Sequence, residues 1–152
     1  MQTETPENLN GYLLPVRVYY EDTDAGRVVY HSNYINFMER ARTEWLRSLG
    51  YEQDVLIHEQ GIVFVVRSLQ VDYLKPALFN DLLLVEAAIH EIGRTSVHFR
   101  QNIWRENKLE NKLENKREHL IAGIVRVVCV DAESFRPKAI PAEIRGKFSG
   151  EH

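Results

Sequence analysis

The sequence has a single cysteine, Cys129, in 152 residues, so no disulfide can form within the chain. Small secreted domains usually depend on several disulfides, and their lack fits a reducing compartment such as the cytoplasm. No apolar run approaches the roughly 20 residues of a membrane span. Residues 1–10 are polar and acidic, whereas an export signal starts basic and then becomes apolar. We therefore expect a cytoplasmic protein without a membrane span.

The chain also has little net charge. The 19 Lys and Arg residues nearly balance the 22 Asp and Glu residues, which leaves a net charge of −3 and no dense basic run. This balance disfavours nucleic-acid binding through many phosphate contacts. The hydrophobic share of 44% is large enough to form the core of one compact domain. We expect a single domain over residues 1–152, with its core at about 15–141.

Several common catalytic motifs are missing. The chain has no Gly-x-Ser-x-Gly elbow, no His-Glu-x-x-His motif and no Gly-rich phosphate or dinucleotide loop. Cys129 lies in an apolar run without a cationic neighbour in sequence, so it is a poor candidate nucleophile. The six histidines show no metal-ligand spacing, and only His31 lies beside an acidic loop. The sequence thus predicts neither a metal nor an organic cofactor.

The most informative segment places two acids, Asp22 and Asp24, between a strand and a helix. Residues 16–20 alternate with the period of a half-buried strand, and both acids would share one face if that strand persisted. Apolar residues then recur at helical spacing. The helix is predicted to begin near Ser32 or Asn33, and either side chain is suited to cap it. The free N–H groups of such a helix start suit an oxyanion.

Two interpretations of this segment remain open from the residues alone. Acids before a helix are common because they complement its dipole, and His31 is then only a polar residue at the helix start. Ala25 and Gly26 favour a functional role instead, since small residues let the backbone approach a ligand. Tyr30 and Tyr34 add aromatic side chains. An acid facing free helix amides is suited to acyl transfer to water, with His31 at the reacting group.

The rest of the chain predicts a short second helix and several antiparallel strands. A strand, a long helix and then four strands indicate an α+β arrangement in which one curved sheet wraps the helix. Pairing with a second copy would protect a sheet edge, so we expect a homodimer. The repeat of Glu-Asn-Lys-Leu at 106–116 predicts a solvated hairpin extension. The helix is expected at 53–60, the strands at 62–73, 82–92, 96–104 and 120–130, and a short polar tail from Pro137.

The segment from Arg17 to Tyr34 resembles the 4-hydroxybenzoyl-CoA thioesterase family. Its centre reads Glu-Asp-Thr-Asp-Ala-Gly, and Phe-Met-Glu-Arg-Ala-Arg-Thr-Glu follows it. Within that family the sequence is most similar to the YbgC-type acyl-CoA thioesterases associated with the Tol-Pal system, from about Pro15 to Pro141. The resemblance implies an α+β hotdog fold, with a central helix wrapped by a curved antiparallel sheet, in dimers and often in homotetramers.

The resemblance also implies catalytic roles for two residues. The family's catalytic carboxylate falls on Asp24, which leaves Asp22 a supporting role. The backbone amide that polarises the thioester carbonyl falls on His31. Two roles for His31 stay open: its amide is an oxyanion donor, and its ring either orients water or assists proton transfer.

Substrate-binding positions follow from the same resemblance. The basic residue that family members use for the nucleotide end of coenzyme A falls on Arg94. Benzoyl-specific members have two adjacent Arg residues there, whereas Gly93 precedes Arg94 in this chain. Tyr30 and Tyr34 are expected to line the acyl pocket.

The implied function is hydrolysis of short- to medium-chain acyl-CoA thioesters to a free acid and coenzyme A, without metal or cofactor. The alternative is a non-catalytic module that binds acyl-CoA or an acyl carrier and acts at the cell envelope. A dehydratase on the same fold fits less well, because that chemistry usually pairs a His with an acid on a hydroxyacyl chain.

Overall fold

The computed structural model describes residues 11–108 and 115–150, without the side chains of 107, 108, 115 and 116. These ranges form eight strands and three helices, and a 3-10 turn at Tyr20–Asp22 precedes the second strand. The elements are β1 (Gly11–Arg17), β2 (Thr23–Asp24), β3 (Val28–Val29), α1 (His31–Ser48), α2 (Gln53–Gln60), β4 (Ile62–Tyr73), β5 (Leu82–Ile92), β6 (Ser96–Arg100), β7 (Ile103–Lys108), β8 (Asn115–Asp131) and α3 (Ala142–Phe148).

Six of the described strands form one antiparallel sheet. Their order is β1-β5-β6-β8-β4, and β7 continues beyond β6 by pairing with β5 and β8. The short strands β2 and β3 pair separately with each other. In this arrangement β1 and β4 are the edge strands, so the 12-residue β4 presents an open edge.

Helix α1 packs its apolar face on the sheet. Phe37, Met38 and Ala41 are at most 1% exposed, as their spacing on one helical face predicts. Gly123 of β8 allows this close approach, because a Cβ there would lie 2.8 Å from the Met38 side chain. Each large buried side chain contributes about 1.5–3 kcal/mol. This interface therefore fixes α1, and with it the start of the helix, against the sheet.

The strand that follows the β5–β6 turn is interrupted at Gln101, whose side chain crosses to α1. Gln101 Nε2 donates to the carbonyls of Met38 at 3.0 Å and Glu86 at 2.9 Å. Gln101 Oε1 accepts from Arg42 at 2.8 Å. The Glu86 carboxylate accepts from the backbone and side-chain N–H groups of Asn102, while burial raises the pKa of Glu86. The buried amide of Gln101 is thus satisfied, at the point where β6 ends.

The structure confirms the α+β arrangement and several element bounds. Helix α2 and strands β4 and β5 begin and end at the predicted residues. The strand predicted at 16–20 overlaps β1 at residues 16 and 17, but its continuation to Tyr20 is wrong, because β1 ends at Arg17 and the chain then enters the 3-10 turn. The strand predicted at 96–104 is instead divided into β6 and β7.

The C-terminal tail, predicted to be only short and polar, contains α3. This helix buries Ile144 completely and leaves Phe148 only 7% exposed. Its Arg145 guanidinium donates to the carbonyl of Gly93, and the Ile140 N–H just before it donates to Arg94 O at 3.0 Å. The tail therefore packs on the turn between β5 and β6.

Strands β7 and β8 remain paired up to Lys108 and Asn115, so β8 starts earlier than the predicted residue 120. Residues 109–114, in the middle of the predicted 106–116 extension, lie outside the described residues. Among the described helices, none combines the length and the apolar character needed to cross a membrane.

Candidate active site

Asp22 holds the acidic loop against the start of α1. Its carboxylate accepts hydrogen bonds from the backbone N–H of Tyr19 at 2.8 Å and from Asn33 Nδ2 at 3.1 Å. Its carbonyl accepts from the backbone N–H of Tyr30 at 3.0 Å. One acid thus joins the 3-10 turn to the first turn of the helix, and its carboxylate oxygens are both engaged.

Asp24 is the first residue of a tight turn between β2 and β3, and α1 follows β3. The next two residues, Ala25 and Gly26, have φ values of 57° and 77°, and the Arg27 N–H donates to Asp24 O at 3.3 Å. Positive φ at both central positions is typical of type I′ turns. Glycine suits position 26 because a side chain at this positive φ is strained, and a Cβ there would also lie 2.7 Å from the Tyr20 ring. The exposed Asp24 carboxylate accepts no hydrogen bond from the described parts of the chain.

Helix α1 begins at His31, one or two residues before the predicted start. Tyr30 is the N-cap residue, and no side chain caps the helix, so the predicted capping by Ser32 or Asn33 is wrong. The Asn33 side chain instead donates to Asp22. The N–H groups of His31 and Ser32 lie in the first turn, where a helix offers no acceptors of its own. These amides and the positive end of the helix dipole favour a negatively charged oxygen.

Aromatic side chains surround this helix start. The rings of Tyr30 and His31 lie 4.5 Å apart between centroids, and both side chains are exposed. The hydroxyl of Tyr73 donates to the His31 carbonyl at 3.1 Å. The C-terminal end of β4 is thereby tied to the first residue of α1.

Tyr34 is a buried residue whose hydroxyl has a structural partner. It is 3% exposed, and its Oη accepts from the backbone N–H of Ala77 at 2.9 Å. Burial raises the pKa of the Tyr34 phenol. Its ring packs edge-to-face on Phe37 and Tyr73. The predicted contact of Tyr34 with the acyl group stays a prediction, and the hydroxyl is already engaged.

We expect Tyr34→Phe to lower the free energy of unfolding by about 1–3 kcal/mol, because the N–H of the fully buried Ala77 loses its acceptor. Urea denaturation of the variant and the wild type measures this difference. Tyr30→Phe is the control, since Tyr30 is 50% exposed. Equal stability of Tyr34→Phe and wild type would contradict the structural role, and KM for an acyl-CoA in the same variant tests contact with substrate.

Arg94 lies far from Asp24 in the same chain. It is an exposed residue of the turn after β5, whereas the segment just before β5 carries Leu78, which pairs with Val28 beside the acidic loop. Strands rise about 3.3 Å per residue, so the ends of this 11-residue strand are on the order of 30 Å apart. Asp24 and His31 belong to one segment, which runs from the 3-10 turn to the first turn of α1, whereas Arg94 lies at the opposite end of β5.

A cavity of about 460 Å³ opens between α1 and the sheet, a volume within the usual range for small-molecule sites. Its wall on α1 includes Ile35, Glu39, Arg42 and Leu46. They are spaced by four, three and four positions, so they lie on one face of the helix. The first of them, Ile35, comes four residues after His31. Burial lowers the pKa of the Arg42 guanidinium. The other walls come from β4, β6, β8, α2 and α3: Gln53, Phe64, Val65, Val66, Val97, Phe99, Val127 and Phe148, with Thr43 and Trp45 completing the α1 side.

Sequence reasoning missed this cavity. Trp45 and Phe99 have the periodicity of ordinary core residues, and Phe148 lies in a tail whose helix was not predicted. Residues that line a cavity and residues that fill a core show the same spacing. The sequence does contain many large aromatic residues in these segments, but their number does not indicate whether they leave a cavity between them.

Cys129 is fully buried, and burial raises the pKa of its thiol to about 11. We expect iodoacetamide at pH 8 to leave the folded protein unmodified and to alkylate the urea-unfolded chain, because the thiolate is the reactive form. Mass spectrometry of both samples measures the modification. Cys129→Ala should retain turnover, and rapid alkylation with inactivation of the folded protein would instead indicate a reactive cysteine.

Among the described residues, the Asp24 carboxylate has no hydrogen-bond donor, and the helix that follows begins with N–H groups that have no acceptor within the helix. Within residues 11–108 and 115–150, no three His, Cys, Asp or Glu side chains converge as metal ligands do. A carboxylate of this kind is suited to act as a base or nucleophile, and helix amides of this kind are suited to hold an oxyanion. Such a pair suits attack on an acyl carbonyl.

Comparisons with known proteins agree with this chemistry. Residues 26–111, more than half of the chain, match the family model of the Thioesterase superfamily. The chain is 43% identical over 139 residues to Acyl-CoA thioesterase YbgC of Haemophilus influenzae, which covers 91% of this chain and 95% of that protein. It is 46% identical over 135 residues to Acyl-CoA thioester hydrolase YbgC of Escherichia coli O6:H1, which covers 88% and 92%.

The fold has a counterpart among solved structures. A 4-hydroxybenzoyl CoA thioesterase mutant complexed with 4-hydroxybenzoyl CoA superposes with a TM-score of 0.78 at 20% identity, over 89% of this chain and 96% of that one. The predicted α+β hotdog fold is thus confirmed. The match to the family model and the identity to the two relatives establish that this chain belongs to the thioesterase superfamily.

Proposed function

We propose that the protein hydrolyses acyl-CoA thioesters to a free acid and coenzyme A, with Asp24 and the His31 amide as its catalytic groups. One observation carries the assignment of residues. Of the two acids, Asp22 accepts hydrogen bonds from Tyr19 and Asn33 with its carboxylate. The exposed Asp24 carboxylate accepts none from the described residues. The names of the curated relatives supply the substrate class.

The thioester carbonyl oxygen accepts a hydrogen bond from the His31 N–H at the positive end of α1. Negative charge that develops on this oxygen during attack is stabilised there, which typically contributes about 10²–10³ in rate. As a general base, Asp24 takes a proton from the attacking water, a role that typically contributes about 10²–10⁴. As a nucleophile, it forms a mixed anhydride that water then hydrolyses. In both routes the C–S bond breaks and the coenzyme A thiolate leaves to be protonated.

The cavity beside α1 supports an acyl site. It begins at Ile35, one helical turn after His31, and its walls are mostly apolar. A thioester whose carbonyl contacts the His31 amide would direct its acyl chain along this face of α1. Burial of each methylene there contributes about 0.8 kcal/mol, so the cavity favours an acyl chain, and we include short- to medium-chain acyl groups in the proposal. Tyr30 and Tyr34 flank the entrance in this proposal.

A dimer formed through β4 would supply the part of the site that binds the nucleotide end of coenzyme A. The open edge of β4 carries the exposed apolar side chains Val65, Val66 and Leu69, and pairing with a second β4 would cover this edge. Because Arg94 is far from Asp24 of its own chain, contact with the nucleotide end of coenzyme A requires Arg94 from another copy. We therefore include a homodimer, or a homotetramer built from two dimers, in the proposal.

The alternative function is a module that holds acyl-CoA or an acyl carrier at the cell envelope without catalysis. Release of free thiol from acetyl-, butyryl-, octanoyl- and palmitoyl-CoA distinguishes the two. Hydrolysis of at least one thioester supports the enzyme, whereas tight binding without thiol release for every substrate supports the module. A cytoplasmic location and a link to the Tol-Pal system belong to the same proposal, and they rest on the single cysteine and on the resemblance.

A further inference from the structure

A cluster of aromatic side chains lines the proposed acyl cavity near the C-terminal end of α1. The Phe148 ring lies 5.0 Å from the Trp45 ring and 5.8 Å from the Phe64 ring, measured between centroids. The Phe99 ring packs edge-to-face on Trp45, with 5.2 Å between the centroids. Trp45, Phe99 and Phe148 are each between 5% and 7% exposed. The cluster therefore forms an apolar wall at the end opposite to His31.

The position of this wall along α1 limits the length of a bound acyl chain. Trp45 follows His31 by 14 residues in the helix, which corresponds to about 21 Å of helix rise. Side chains of a helix lean toward its N-terminus, so the Trp45 ring shortens this path. An acyl chain that starts at the His31 amide and follows the cavity meets the aromatic wall before it reaches solvent.

We propose that Phe148 sets the maximum acyl-chain length that the enzyme accepts. Of the three rings, only that of Phe148 comes from outside α1 and the sheet, so its removal opens the wall without cutting into the core interface between them. The proposal rests on the proposed acyl-CoA thioesterase function. It assigns the C-terminal helix, which carries none of the catalytic groups, a role in substrate specificity.

The Phe148 ring is held in place rather than left free to swing away. Ile144, one turn earlier in α3, is fully buried. The Arg145 guanidinium donates to the Gly93 carbonyl, and the Ile140 N–H donates to Arg94 O. These contacts hold α3 on the β5–β6 turn from the residue before the helix and from its middle. A fixed ring gives a sharp limit in chain length, whereas a mobile ring would give a gradual one.

The lining of the cavity favours an acyl chain as its occupant. Exposed polar side chains, Glu39 and Thr43, lie on the α1 wall, while the deepest residues are aromatic or aliphatic. Most of the lining is apolar, as an acyl chain requires, and it starts at Ile35, one helical turn from the His31 amide that would hold the thioester. Side chains from a second copy are the competing occupant, because Val65 and Val66 of the open β4 edge also line the cavity.

The test measures kcat/KM for a series of saturated acyl-CoA substrates by thiol release. Phe148→Ala is expected to raise the ratio of kcat/KM for palmitoyl-CoA over octanoyl-CoA at least tenfold, since discrimination by one methylene in an apolar pocket is typically worth about tenfold or more. Phe148→Trp is expected to lower the same ratio. Ile144→Ala is the matched control, because it removes buried volume from the same helix without lining the cavity.

Each outcome decides the proposal. An unchanged ratio in Phe148→Ala overturns it, as does an equal change in Ile144→Ala, which would indicate a general loosening of α3. An unchanged profile also results if a second copy fills the cavity. If Phe148→Ala does not fold, Phe148→Leu provides the same test with a smaller loss of volume. Absence of thiol release by the wild type would instead defeat the proposed function itself, so the two failures are distinguishable.

Discussion

Replacement of Asp24 by Asn is expected to lower kcat for acyl-CoA hydrolysis at least a hundredfold while the protein stays folded. The amide is a far weaker base and nucleophile than the carboxylate, and a positioned base typically supplies about 10²–10⁴ in rate. The loop should survive, because the exposed Asp24 carboxylate accepts no hydrogen bond from the described residues. Thiol release at saturating substrate measures kcat, and thermal unfolding reports the fold.

Glu21→Gln is the matched control for Asp24→Asn. Glu21 is an exposed acid in the same loop, three residues earlier, so its neutralisation changes the local charge equally. We expect this variant to keep near wild-type turnover. Comparable turnover in Asp24→Asn would remove Asp24 from the mechanism, and an equal loss in both variants would point to the loop's net charge rather than to one carboxylate.

The spacing of Asp22 and Asp24 in the sequence does not distinguish their roles. Asp22 and Asp24 would share one face of a continued strand, and this pattern does not separate them. The 3-10 turn breaks the alternation, and Asp22 then bonds to Asn33, which was predicted to be a helix cap. The resemblance had already placed catalysis on Asp24. The hydrogen bonds of the loop support the same choice, because they engage both carboxylate oxygens of Asp22.

The fold was predictable where hydrophobic runs have clear limits. Helix α2 ends at Gln60 and is followed by Gly61, which has the left-handed φ of 66° that favours glycine, and β4 begins at the next residue. The break after β6 was not predictable, because the partners of Gln101 lie on α1 and β5. Helix α3 was missed because it has seven residues, and helices this short form through tertiary packing rather than propensity.

The second large effect concerns the open edge of β4. Leu69→Lys is expected to convert the proposed dimer to monomer, because Lys on an edge strand opposes pairing with another strand. Leu69 is 38% exposed and does not line the acyl cavity, so the change acts on the edge. A two-fold interface would contain the substitution twice. The loss of two buried Leu side chains, each worth about 1.5–3 kcal/mol, adds to the cost of two charges.

Light scattering coupled to gel filtration measures the mass of Leu69→Lys, and thiol release measures its turnover. We expect the monomer to lose activity, because Arg94 of the partner subunit no longer reaches the coenzyme A bound beside Asp24. The control is Ile57→Lys on α2, since Ile57 is 40% exposed and lies off the β4 edge. A Leu69→Lys protein that stays dimeric would place the interface elsewhere. A fully active monomer would show that one chain binds the nucleotide end without a second copy.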